Sequence, residues 1–225
     1  MTMLETRSVS KCYRSGRVPD VWALDGVSLK IARGCFCVLR GSSGSGKTTL
    51  LGILGALERP TRGQVLLEDR DLRDLSDVAL TRIRRRMGFV FQGFSLIRRL
   101  PIGDVVTYPL IPRGVSRAER HARARRILDS LGLGHRITAE SESLSAGEQQ
   151  RVSVARALVS DPEIVLADEP TSNLDPINSR EVASLLQRVN EAGTTVIIAT
   201  HDENLISIAT QMIHLDSGTV TACSS

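Results

Sequence analysis

The hydrophobic pattern changes period twice along the chain. In the first third, apolar residues come in short runs broken by polar ones, which predicts strands over 4–10, 26–31, 35–40 and 63–68. "MGFVFQ" (87–92) predicts another strand, ending at Gln92. Between them "CFCVLR" runs into a glycine-rich loop and then into helix-forming "TTLLGILGAL". From about residue 93 the pattern turns charged and helical. "SRAERHARARRILDSLGL" (116–133) opens on Ser116 with Glu119 at capping-box spacing, and Gly132 and Gly134 sit where the helix should stop. "SAGEQQRVSVARALVS" (145–160) predicts a second helix, with Val152, Ala155, Leu158 and Val159 as its apolar stripe and Asp161-Pro162 closing it. The last third returns to alternation. It predicts a buried strand over 163–170, a helix over about 177–192, a second buried strand over 194–202, a further helix, and a hairpin turning on Asp216-Ser217-Gly218.

Apolar strands alternating with helices argue for an α/β fold with a parallel sheet. A length of 225 residues suits one domain. Its expected division is a core with a β part over about 1–92 and 161–225, and a helical part over about 93–160. Aromatics are only 3%, so the core must be built from Leu, Val, Ile and Ala. The net charge of +4 suits anionic partners such as nucleotide, nucleic acid or a lipid surface, and chooses none of them. Four cysteines show no metal spacing, and Cys35 and Cys37 in "CFCVL" read as buried free thiols. The opening residues lack the apolar segment of a signal peptide. Apolar runs such as "VIIA" (196–199) fall far short of the ~20 residues that span a bilayer. The expectation is a soluble, cytoplasmic chain whose membrane role, if any, needs a partner.

"GSSGSGKT", Gly41 to Thr48, matches the phosphate-loop pattern G-x-x-x-x-G-K-[ST] between a strand and a helix. A polyphosphate must be wrapped closely by backbone N–H groups, and the glycines permit that path. The following helix start adds a positive dipole end. Lys47 is placed for the β- and γ-phosphates, and the Thr48 hydroxyl for Mg²⁺. "IVLADEP" ends a buried strand in two carboxylates. Asp168 suits the metal's water shell, and Glu169 suits the orientation or deprotonation of an attacking water. His201 and Gln92 each follow an apolar strand, where ligands of open α/β sheets gather. His201 could reach the γ-phosphate edge, and the Gln92 amide could touch Mg²⁺ or the water. His121, His135 and His214 lack such a context and read as structural.

In order and spacing, "GSSGSGKTT", Gln92, "LSAGEQQ" (144–150), "IVLADEP", "SNLD" (172–175) and His201 resemble the ATP-binding cassette ATPases over essentially the whole chain. The resemblance implies a RecA-like P-loop NTPase core, an antiparallel β subdomain and an inserted helical subdomain. It implies that Gly41, Ser42, Ser43, Gly44, Ser45, Gly46, Lys47, Thr48 and Thr49 surround ATP, with Mg²⁺ at Thr48, Gln92 and Asp168. It implies that Tyr13 stacks on adenine. It further implies a head-to-tail homodimer that buries ATP between the phosphate loop of one chain and Ser145 and Gly147 of the other, with Asp175 linking the two sites. Ala146 and Glu148 depart from the usual "LSGGQ". Alanine suits a helix, and Ser145 with Glu148 has capping-box spacing, which would turn the carboxylate back toward Ser145.

"FQGFSLIRRLPIGDVV" and "LSDVALTRIRRRMGFVFQ" resemble the bacterial lipoprotein-release and macrolide-export ATPases, and "GEQQRV" resembles the cell-division cassette ATPase. All of these work with a membrane protein. The implied function is an ATPase subunit that drives a membrane permease from the inner face of the cell membrane. The alternative is an ATP-gated partner of a membrane complex acting in cell division or signalling. A nucleic-acid-acting cassette ATPase ranks below both, because the chain carries basic clusters at Arg84–Arg86 and in "RAERHARARR" but no zinc hook or aromatic platform.

Overall fold

The computed structural model describes residues 1–14 and 20–224. In chain order it holds β1 (Thr2–Tyr13), β2 (Val21–Ala32), β3 (Phe36–Arg40), α1 (Lys47–Leu54), β4 (Arg62–Leu67), β5 (Arg70–Asp71), α2 (Asp77–Arg84) and β6 (Met87–Val90). Then follow α3 (Ile102–Thr107), α4 (Arg117–Ser130), α5 (Ala146–Leu158), β7 (Ile164–Asp168), α6 (Pro176–Glu191), β8 (Thr195–Ala199), α7 (Glu203–Ile206), β9 (Gln211–Asp216) and β10 (Thr219–Ser224).

Two sheets form the core. An antiparallel sheet has the order β2-β1-β4-β5, and a six-stranded sheet has the order β10-β9-β3-β8-β7-β6. Within the second, β9, β3, β8, β7 and β6 run parallel and β10 alone is antiparallel. The parallel strands are apolar at consecutive positions because both faces are covered. Alternate residues go to different cores: Cys37, Leu39, Leu166 and Ile197 face the antiparallel sheet, α1 and α2. Phe36, Val38, Val165 and Ile198 face α5, α6 and α7.

A third cluster lies in the helical part. It joins Ile102, Val105 and Val106 of α3 to Leu128 of α4 and to Val152 and Ala155 of α5. Helix α5 is shared, since Val154 and Ala157 pack with the sheet instead. Of the four residues expected on its stripe, Leu158 joins the sheet side and not the helical cluster.

β1 is longer than the run expected from alternation. Its pairing with β2 shifts between Thr6 and Val9, where Ser8 takes φ 47°. A bulge there moves the buried face along by one residue, so strict alternation fades while the strand continues. The strand expected to end at Gln92 stops at Val90.

Candidate functional site

Strand register brings the predicted residues to one level. Leu39 of β3 and Asp168 of β7 both pair with Ala199 of β8. The chain segments leaving the carboxyl ends of β3, β6, β7 and β8 therefore emerge side by side, the place where open parallel sheets bind ligands. A cavity of about 620 Å³ opens there. Gly41, Ser42, Ser43, Gly44, Gly46, Lys47, Thr48, Thr49, Gln92, Asp168, Glu169 and His201, all singled out in the sequence, line it.

The loop 41–46 is wedged between β2 and β9. A Cβ on Gly46 (φ 99°) would stand 2.4 Å from the Ala23 carbonyl oxygen, and one on Gly41 would stand 2.2 Å from that of Leu215. Only glycine fits either position. Gly46 is the N-cap of α1, and it has no side chain to cap that end. The N–H groups of the first turn are thus left for a ligand at the cavity floor.

Lys47 Nζ donates to the Gly41 and Ser42 carbonyl oxygens at 2.8 Å each. The Thr48 hydroxyl donates to Asp168 Oδ2 at 2.8 Å. Burial pushes the Asp168 carboxyl above the ordinary aspartate range; the Thr48 hydrogen bond opposes this, and Glu169's charge adds to it.

Glu169 adopts φ 46°, a conformation that costs a non-glycine residue on the order of 1 kcal/mol. It is held there by its N–H on the Ala199 carbonyl (2.8 Å) and by its own carbonyl, which accepts from the Ser172 N–H (3.3 Å) and hydroxyl (3.1 Å). The strained turn aims a mostly buried carboxylate into the cavity. His201 Nδ1 lies 3.1 Å from Glu169 Oε1. The same nitrogen is as close to Oε2 but off hydrogen-bond alignment, so that buried oxygen has no partner among the described residues.

Five predicted residues do not line this cavity. The Ser45 side chain is buried, and its N–H is used on the Ser42 carbonyl at 3.2 Å. Tyr13 stands at the rim. Its hydroxyl donates to Glu58 Oε2 (2.7 Å) and lies 3.4 Å from Thr49 Oγ1, and Lys11 Nζ sits 5.1 Å from the ring centre. Burial foremost raises the Tyr13 pKa, which keeps the hydroxyl a donor at neutral pH. Ser145, Gly147 and Asp175 lie at the starts of α5 and α6.

Ser145 caps α5 in a complete capping box. Its N–H donates to Glu148 Oε2 at 2.8 Å, and its Oγ accepts from the Glu148 N–H at 3.3 Å. Glu148 therefore points back into its own chain. Asp175 caps α6, accepting from the Ile177 and Asn178 N–H groups at 2.9 and 3.0 Å.

Sequence reasoning missed two cavity residues, Ala23 and Ser172. Ser172 opens the "SNLD" run and could have been suspected from it. Ala23 carries no local signal, since only the long-range packing of β2 against the loop places it there.

The family model described as "ABC transporter" matches residues 24–172. An uncharacterized ABC transporter ATP-binding protein of Thermotoga maritima is 41% identical over 97% of this chain and 93% of its own length. The lipoprotein-releasing system ATP-binding protein LolD of Geobacter metallireducens is 44% identical over 98% of this chain and 99% of its own. The macrolide export ATP-binding/permease protein MacB of Syntrophobacter fumaroxidans is 42% identical, and the chain spans only 31% of that longer protein. Among solved structures, the ATP-binding cassette MJ0796, a dimer in a post-hydrolysis state bound to ADP and Pi, superposes with a TM-score of 0.91 at 39% identity. That match covers 99% of this chain and 98% of the other. The cavity, the sheet that builds it and these likenesses agree, and the chain belongs to the ABC transporter family as an ATP-binding, ATP-hydrolysing subunit.

Proposed function

We propose that two copies of this chain close head to tail around ATP and drive a separate membrane permease of the export or lipoprotein-release type. The observation that carries the reading is the single cavity where the uncapped start of α1 meets Gln92, Asp168, Glu169 and His201. The loop N–H groups and Lys47 bind the phosphates. Lys47 exchanges two neutral carbonyl partners for phosphate oxygens, a stronger charge-assisted interaction. Glu169 orients the attacking water and takes its proton as the bond to the γ-phosphorus forms and ADP departs. His201, bonded to Glu169, steadies that carboxylate and reaches the γ-phosphate edge. Tyr13 offers a ring face to adenine, held by Glu58 and Lys11.

The donors at Thr48, Asp168 and Gln92 are one hydroxyl, one carboxylate and one amide. Such a sparse oxygen set fits Mg²⁺, which keeps several waters and takes further ligands from phosphates. When bound, the ion would neutralise phosphate charge, and it would relieve the cost of ionising buried Asp168.

The opposite walls of the two sites are Ser145 and Gly147, and Asp175 joins them across the interface. In this reading the chain meets the membrane peripherally, at its inner face and through the permease. No helix among the described residues is long and apolar enough to cross a membrane. The core and β part (about 1–92 and 161–225) hold the nucleotide, and the helical part (about 93–160) carries Ser145. Likeness to LolD and MacB supports the permease type.

Glu169→Gln tests the chemistry: phosphate release should fall at least about 100-fold while ATP still binds. Undiminished turnover would remove Glu169 from the mechanism. Affinity capture from solubilised membranes tests the partner. A co-purifying permease is expected, and recovery of nucleic acid or ribosomal proteins alone would overturn the transport reading.

A further inference from the structure

The starts of α5 and α6 are not independent in this chain. Asn178, in the first turn of α6, touches both. Its Nδ2 donates to Asp175 Oδ2, the second oxygen of the cap whose first oxygen holds the α6 N–H groups. Its Oδ1 accepts from Arg151 Nη1 of α5 at 3.3 Å. It also lies so close to Gly147 that a Cβ there would stand 2.0 Å from Asn178 Oδ1. Arg151 is tied in turn to Glu181, one turn further along α6. The Arg151 side chain is 20% exposed and that of Glu181 is 53% exposed, so the pair lies at the protein surface with its arginine partly covered. A side chain at Gly147 would have to displace the Asn178 amide, which occupies the space its Cβ would need.

We propose that Asn178 is a positioning residue that locks the Ser145 helix start to the Asp175 cap, so that one chain presents both to a second copy as a single rigid surface. The proposal rests on the reading above, that Ser145 and Gly147 wall the partner's nucleotide site and Asp175 joins the two sites across the interface. Asn178 does not line the cavity of its own chain. An asparagine suits the task because it donates and accepts at once. Aspartate in its place would keep the acceptor for Arg151 and turn a second carboxylate oxygen on Asp175.

The test compares Glu169→Gln chains, with and without Asn178→Ala or Asn178→Asp, by sedimentation over a range of ATP concentrations. ATP affinity of dilute monomer and melting temperature are measured alongside. The dimer dissociation constant should rise about tenfold in both variants, while monomer affinity and melting temperature stay at parent values. If Asn178→Ala melts early, the isosteric Asn178→Asp decides. Undiminished dimerisation of a folded variant overturns the proposal. Ser145→Arg serves as the control for the underlying reading. If it abolishes the dimer while both Asn178 variants retain it, only the lock is wrong. If Ser145→Arg dimerises normally, the shared-site reading fails and the proposal fails with it.

Discussion

Asp168 is useful because it is placed where a carboxylate is costly. Burial raises its pKa, so in the nucleotide-free protein its ionised form opposes folding. The sign follows: stability is lost as pH rises from the ordinary aspartate range through the raised value, and the loss persists at neutral pH. Asp168→Asn should therefore raise the melting temperature of nucleotide-free protein at pH 7 by on the order of 2 °C, and abolish turnover. Thermal melts at descending pH should show the gain shrinking as Asp168 in the parent takes up its proton; a gain that does not depend on pH would contradict this account. Glu148 is the opposite case. The Ser145 N–H, foremost, holds its carboxyl below the ordinary glutamate range. That contribution is present at neutral pH and lost as pH falls through the lowered value. Glutamine can take the same capping role, so Glu148→Gln should leave ATPase activity within about twofold. A large gain would mean that the carboxylate faces phosphate after all.

At the scale of elements, the phosphate loop depends on what presses against it. Gly46→Ala would drive a methyl into the Ala23 carbonyl and force φ 99° on a residue that avoids it. Nucleotide binding should be lost, with a stability cost of about 2 kcal/mol by chemical denaturation. Tight ATP binding by that variant would show that the wedge between β2 and β9 is not what shapes the loop. The loop, the doubly buried strands and the capped helices α4, α5 and α6 were legible in the sequence because each is specified locally, by glycine spacing, apolar runs or a cap. Helices α2 and α3, of 8 and 6 residues, were not, because so few turns show no clear period, while α7, of only 4 residues, was expected as a further helix but without bounds. The hold on Tyr13 was equally hidden, since Glu58 is 45 residues away and only the docking of the 58–61 segment against the end of β1 brings it near. The same applies to Asn178, whose partners lie on two different helices.

For the whole molecule, the proposed shared site draws on two clusters of residues in separate places on each chain. The cavity gathers the phosphate loop, Asp168, Glu169 and His201, while Ser145, Gly147 and Asp175 cluster at the starts of α5 and α6. That separation is what a shared, head-to-tail interface requires, and an isologous pair satisfies both halves at once. Nucleotide is then part of the interface, so dimerisation and ATP binding are linked, and hydrolysis loosens the pair. The direct measurement is sedimentation of Glu169→Gln with and without ATP. A monomer is expected without nucleotide and, with ATP, a dimer retaining one nucleotide per chain, which Ser145→Arg in the same chain abolishes. ATP bound with full occupancy by a chain that stays monomeric at high concentration would contradict it.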